Sequence, residues 1–239
     1  MKITKIFLLA LVPFLSQAQD TNAVIEKYLE ATGGKDKIED VTTFKYNRSY
    51  VANATTDYDE EVVVVGAKNQ LSRKKTLLKR DFYYILNGNE GWIKIPMGSP
   101  DKKATYSTKD LSDKELSELS LEAKDGVLPF VNYDKKGYKL TAPVSAATVE
   151  GKATTRLAIE KDGLKREYYF DNATGLVVRE VLIENGITHT MDYTKYDTTP
   201  IGVKLPVAYT YINTKDKRKT NVTTKWTFDK PTEGVAFTK

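Results

Sequence analysis

Apolar residues recur at two spacings along this chain, and the spacing changes near residue 41. From Asn22 to Gly34 the period is helical, with Val24, Ile25, Tyr28 and Leu29 on one face, Asn22 placed to cap the start and Gly33-Gly34 placed to stop it. From Val41 onward the period is two. Phe44, Tyr46, Arg48 and Tyr50 alternate with polar residues, as a strand with one buried face requires. The run Val62 to Val65 is continuous and β-branched, which predicts a strand covered on both sides. Phe82–Leu86 and Trp92–Ile95 predict two more strands joined through the turn residues 87–91.

A helical pattern returns once. Ser112-Asp113-Lys114-Glu115 reads as a capping box, and Leu111 and Leu116 occupy the positions of a hydrophobic staple. Leu116, Leu119 and Ala123 then form a narrow apolar stripe, ended by Lys124-Asp125-Gly126 and followed by the apolar segment Val127-Leu128-Pro129-Phe130. Beyond it lie hairpins. Asp162-Gly163 and Asn185-Gly186 are two-residue turn signals, because both positions tolerate positive φ. Ile187, His189, Met191 and Tyr193 share one face of a strand; Val203, Leu205, Val207, Tyr209 and Tyr211 share another, and so do Val222, Thr224, Trp226 and Phe228. Pro206 is out of phase with its row and lacks a donor, which points to an edge or bulged strand. The expected fold is mainly β (α+β): one large antiparallel sheet, strongly curved or partly closed, with an N-terminal helix and a second helix across its concave side. No repeat or Pro/Gly/Ser-rich linker divides residues 19–239, which read as a single domain.

Residues 1–18 lie outside that domain. Lys2 and Lys5 precede the apolar run Ile6–Leu15, and Ser16-Gln17-Ala18 places small residues where a signal peptidase reads them. The run falls short of the ~20 residues a bilayer span needs, so the expectation is a cleaved signal peptide, a mature start at Gln19, no transmembrane segment in the mature chain, and a periplasmic or secreted protein. The chain has no cysteine, so export brings neither a disulfide nor a lipid-modified cysteine. The net charge of +5 is spread over short clusters, Arg73-Lys74-Lys75 and Lys215 to Lys219. It reads as solubility, and without a basic face on a known module no nucleic-acid partner is expected.

Chemistry-bearing patterns are few. His189 is the only histidine and sits in an apolar row, so it reads as a core residue; no metal site and no cofactor are expected. Ser72-Arg73-Lys74-Lys75 fits Ser-x-x-Lys, but the motifs that accompany it in penicillin-recognising enzymes are missing. The acids Asp57, Asp59, Glu60 and Glu61 read as a solvated turn before a strand. What remains is apolar and aromatic, with 15 tyrosines and both tryptophans on predicted strands. A helix lying over a curved sheet can enclose a pocket for an apolar ligand, or the same side chains can simply fill a core.

The order of elements resembles the lipoprotein-localisation carriers, the LolA/LolB-like family, and in particular exported relatives from Bacteroidetes-type bacteria. The residues that carry the resemblance are the helix ending at Gly33, the segment Leu86 to Pro96, the helical insertion from Ser112 to Phe130, the hairpin from Tyr168 to Glu180, and the closing pieces Asp192-Tyr193, Val203 to Pro206 and Phe228 to Pro231. The resemblance implies an open half-barrel whose concave face is closed by helices and receives acyl chains. In the carriers an Arg-Pro pair before the Asn-Gly hairpin helps to hold that lid shut; the comparable turn here is Gly66-Ala67-Lys68-Asn69, and the nearest arginine is Arg73. The leading expectation is therefore a monomeric, non-catalytic carrier for a lipid or for lipoprotein acyl chains. Trp92, Ile93, Leu116, Leu119, Val127, Leu128 and Phe130 are the candidate ligand-binding residues. Two other readings stand beside it: an interaction module with a filled core that docks on an envelope protein, and a hydrolase that works with carboxylates alone.

Overall fold

The computed structural model describes residues 20–38, 41–52, 57–99 and 102–239. The expected signal peptide and the expected start at Gln19 fall outside them. Helix α1 (Thr21–Thr32) buries Val24, Ile25, Tyr28 and Leu29, the face its spacing predicts. Its cap is Asp20, whose carboxylate accepts from Asn22 N at 3.0 Å; Asn22 itself lies inside the first turn. Gly33 ends the helix at φ 72°, where its N–H reaches the last carbonyls, and the single turn α2 (Lys35–Ile38) follows.

The first run of strands is β1 (Thr43–Val51), β2 (Tyr58–Val65), β3 (Gln70–Leu77), β4 (Arg80–Asn87), β5 (Glu90–Met97) and β6 (Thr105–Asp110). Helix α3 (Asp113–Asp125) then leads through an irregular segment to β7 (Lys139–Leu140) and β8 (Ser145–Val149). The second run is β9 (Lys152–Lys161), β10 (Leu164–Asp171), β11 (Val177–Glu184), β12 (Ile187–Thr198), β13 (Lys204–Asn213) and β14 (Thr220–Thr227).

Each run is a succession of antiparallel neighbours, and the two runs join where β1 pairs with β14, Tyr46 opposite Trp226. The result is one 14-stranded antiparallel sheet, curved and unclosed, with β6 at one edge and β7 beside β8 at the other. Asp162-Gly163 and Asn185-Gly186 form the hairpin turns, all four residues at positive φ. Pro206 lies in an interior strand, so of the two readings the bulge is correct: the β12–β13 register shifts around Lys195, and Tyr196 meets Pro206. The pleat cannot absorb a residue without a donor in regular pairing, and the bulge supplies the irregularity.

Two apolar clusters pack on the concave face. In one, α1 and Phe130, Val131 and Tyr138 cover Leu157, Ile159, Tyr168, Phe170 and Val177. In the other, Leu119 and Ala123 of α3 cover Phe44, Val62, Val64, Leu71 and Leu86. Val127, Trp226 and Phe228 touch both. Helix α3 rests on two glycines. A Cβ at Gly66 would lie 2.8 Å from the Ala123 carbonyl oxygen, and one at Gly91 would lie 2.8 Å from Leu116 Cδ1. Its capping box is formed as expected, with the Ser112 and Glu115 side chains each bonded to the other's backbone N–H. On the convex face Val63, Ile85 and Trp92 are also buried. They run across the sheet toward Asp110, whose carboxylate pairs with Lys239 at the C-terminus.

Candidate functional site

Between the two clusters the concave face leaves a cavity of about 470 Å³, within the ~300–1,000 Å³ range of small-molecule sites. The segment leaving α3 forms one wall with Leu121, Val127, Leu128 and Phe130. The sheet forms the other, chiefly with Tyr46, Tyr50, Tyr193, Tyr209 and Trp226. Alternation explains the second wall: on β1 every second residue from Phe44 points inward, and the β1–β14 and β13–β14 pairings bring Trp226 and Tyr209 to the same side. The rings meet edge to face, with Phe130 4.7 Å from Tyr168 and 5.1 Å from Tyr28.

The candidate residues separate into three groups. Val127, Leu128 and Phe130 meet at the cavity wall. Leu116 and Leu119 pack beneath α3 in the second cluster, away from the cavity. Ile93 shares the concave side with Gly91 but, on β5 beside the edge strand β6, lies outside the cavity lining, and Trp92 points to the convex side. The alternation of β5 offers Trp92 or Ile93 to the inside, and the position of Gly91 under Leu116 selects Ile93.

The cavity also holds charge, which the sequence reading did not anticipate. The Arg73 guanidinium pairs with Glu122 on α3, and Glu122 accepts from the Tyr46 hydroxyl as well. Arg73, the arginine nearest the turn Gly66-Ala67-Lys68-Asn69, thus reaches from β3 to α3. At the far end of α3, Asp125 accepts from Tyr138 Oη at 2.7 Å and pairs with Arg166 of β10 at 3.1 Å, while Arg166 also pairs with Glu180 at 3.0 Å. Tyr193 Oη donates to Glu180 at 2.7 Å. Burial raises the Asp125 pKa, and the Arg166 charge and the Tyr138 hydrogen bond offset only part of that. Lys136 donates to the Asp125 and Leu128 carbonyls at 2.6 and 2.8 Å, satisfying the end of α3, and burial lowers its pKa to about 8.

Arg48 differs from these arginines. Its guanidinium lies 4.2 Å from the Tyr46 ring centroid and 5.9 Å from that of Tyr209, and its Nε is shielded from solvent without an acceptor. The signal was visible in the sequence as a cation in register with Phe44, Tyr46 and Tyr50. His189 lies outside the cavity, with Nδ1 2.8 Å from Tyr211 Oη. Among the described residues no cluster of His, Cys, Asp and Glu is arranged to hold a metal ion.

The sequence matches no protein-family model and no curated protein. Solved structures do match. A LolA superfamily protein from Nitrosomonas europaea is 13% identical with a TM-score of 0.52, over 87% of this chain and 91% of that one. A domain described as an outer membrane lipoprotein-sorting protein, from Vibrio parahaemolyticus, is 10% identical with a TM-score of 0.53, over 91% of this chain and 97% of that one. At such identity the likeness is one of fold, and the fold is LolA/LolB-like.

Proposed function

We propose that this chain is an exported periplasmic carrier that holds a lipidic ligand, lipoprotein acyl chains or another envelope lipid, between the curved sheet and a lid made of α3 and the segment after it. The observation that carries this reading is the cavity between the two clusters that Val127, Trp226 and Phe228 bridge. A filled core would leave no such space, whereas here about 470 Å³ is walled by Leu121, Val127, Leu128, Phe130 and a bank of tyrosines. The lid's attachment supports it too. Arg73 and Arg166, from opposite halves of the sheet, each grip a carboxylate of α3, so a helix with a narrow apolar stripe is held across the hollow by polar contacts. The lipoprotein-sorting description of the Vibrio relative agrees with such a cargo. Within the described residues no helix is long and apolar enough to cross a membrane.

The test is mass spectrometry of organic extracts from the purified exported protein, paired with thermal melts of delipidated protein. Co-purified lipid, and a melting temperature raised by a long-chain fatty acid or lipopeptide, are the expected results, since a ligand bound only by the folded state stabilises it. Empty extracts together with melts indifferent to every lipid would overturn the reading in favour of a filled interaction module.

A further inference from the structure

Three arginines line the cavity, Arg48, Arg73 and Arg166, and the protein answers two of them. Arg73 pairs with Glu122, and Arg166 with Asp125 and Glu180. The half-buried Arg48 makes neither an ion pair nor a side-chain hydrogen bond among the described residues. Its Nε is closed off, while its terminal nitrogens stay accessible and their donors open on the cavity. The faces of Tyr46 and Tyr209 stabilise the cation but offer no acceptor in its plane, so the planar fork is left free for an oxyanion. Donors held away from bulk water without acceptors are unfavourable until something supplies them. Tyr209, in the same wall, adds a hydroxyl that makes no hydrogen bond among the described residues.

The missing partner is not for want of a carboxylate nearby. Glu60 of β2 stands opposite Arg48 in register, with Thr224 of β14 on the other side. Glu60 instead accepts from Tyr50 Oη at 3.2 Å, and Lys75 of β3 follows it in the same row. That row carries two cations and one carboxylate. Elsewhere in the wall the acids are held: Glu122 by Arg73 and Tyr46, Asp125 and Glu180 by Arg166, and Glu118 by Lys114 at 3.5 Å, leaving Glu184 at the end of β11. The apolar wall begins one step along β1 from Arg48. Residues on one face of a strand are about 7 Å apart, and after Arg48 come Tyr46, opposite Trp226, and then Phe44, packed with α3. Val127, Leu128 and Phe130 continue that wall. Arg48 therefore stands where the apolar lining ends.

We propose that Arg48 binds the headgroup of the cargo, and that the cargo is an amphiphile whose apolar chain ends in an oxyanion, a carboxylate or a phosphate ester. The guanidinium takes the oxyanion through charge-assisted hydrogen bonds, the Tyr209 hydroxyl adds a donor, and the chain lies along Trp226, Val127, Leu128 and Phe130. The proposal rests on the carrier reading and narrows it to a class of ligand, because an uncharged acyl ester makes no use of Arg48.

Isothermal titration of the delipidated exported protein tests it, with laurate, dodecyl phosphate, the uncharged methyl laurate, and acetate and inorganic phosphate alone. Wild type is expected to bind both anionic amphiphiles roughly ten- to a hundredfold more tightly than the ester, and the two small anions far more weakly than either. Arg48→Met should bring the ratio of acid to ester near one. Arg48→Lys keeps the charge without the planar fork and should fall between. The acid–ester comparison in wild type needs no variant, so it stands even if one fails to fold. Equal affinity for acid and ester in wild type, or a preference that Arg48→Met leaves in place, would overturn the proposal while binding of the ester upheld the carrier reading. Binding of none of the three chains would overturn both. Inorganic phosphate held as tightly as dodecyl phosphate would overturn the amphiphile and make Arg48 a site for free anions.

Discussion

Asp125, the last residue of α3, and Arg166, in the middle of a strand from the far half of the sheet, meet at 3.1 Å with both side chains largely buried. The same guanidinium neutralises Glu180. Arg166→Leu would strand two carboxylates in a low-dielectric site, and a loss of about 3–5 kcal/mol is expected from chemical denaturation. A loss below about 1 kcal/mol would show that water already reaches the pair.

The pH dependence of the same carboxyl has a definite sign. Burial raises the Asp125 pKa in the folded state above the usual 3.8, so the folded protein takes up this proton before the unfolded chain does. Its contribution to stability grows as pH falls through the folded pKa and is complete below the unfolded one. Asp125→Asn should therefore gain on wild type as pH rises through that window, in parallel melts across acidic to neutral pH. A constant offset between the two would contradict the shift.

Gly66 lies under the backbone of α3, where a β-carbon would come 2.8 Å from the Ala123 carbonyl oxygen. A backbone atom cannot swing aside as a side-chain tip can. Gly66→Ala should cost roughly 1–3 kcal/mol and speed amide exchange in α3 more than in β9 or β10. Uniform exchange changes would mean that the contact relaxes without moving the helix.

Leu119 on α3 and Val127 in the segment that follows it are expected to behave differently. Leu119 is 3% exposed beneath α3, so Leu119→Ala should carry a core penalty of about 2–5 kcal/mol and leave any lipid-induced rise in melting temperature in place. Val127→Asp puts a charge on the cavity wall and should abolish most of that rise. If Leu119→Ala alone removed the lipid effect, the ligand would lie under the helix and not beside its exit.

Arg48 has aromatic neighbours and no acceptor at Nε. Its two ring contacts are worth about 0.5–2 kcal/mol, against the cost of holding a cation away from water. Arg48→Met should thus leave stability within about 1 kcal/mol or raise it, as read from urea unfolding. A loss of several kcal/mol would reveal an acceptor for the guanidinium.

Local chemistry was the legible part of this chain. The capping box at Ser112, the stop at Gly33 and the two glycine turns are written into neighbouring residues, and the structure has them where they were expected. The curved sheet followed from the alternation. What escaped has both local and long-range causes. Asp20 took the cap from Asn22 because the carboxylate of Asp20 reaches the Asn22 N–H from the extended residue before the helix. Strand β6 is exposed along its whole length, so no alternation marks it. The arginine–carboxylate pairs of α3 join residues 41 and 49 positions apart, and no short-range pattern announces such a meeting.

The pairing of β1 with β14 also constrains how the molecule can be made. Within each run, every strand meets its predecessor through a short hairpin, so both halves can zip from local contacts. The pairing that unites them joins residues near 45 to residues near 225, and it cannot form until the residues near 225 have been made. Until then β1 offers an unsatisfied edge, and the slow, long-range closure comes last. A chain with this topology stays open during synthesis and becomes a single body only when β14 arrives.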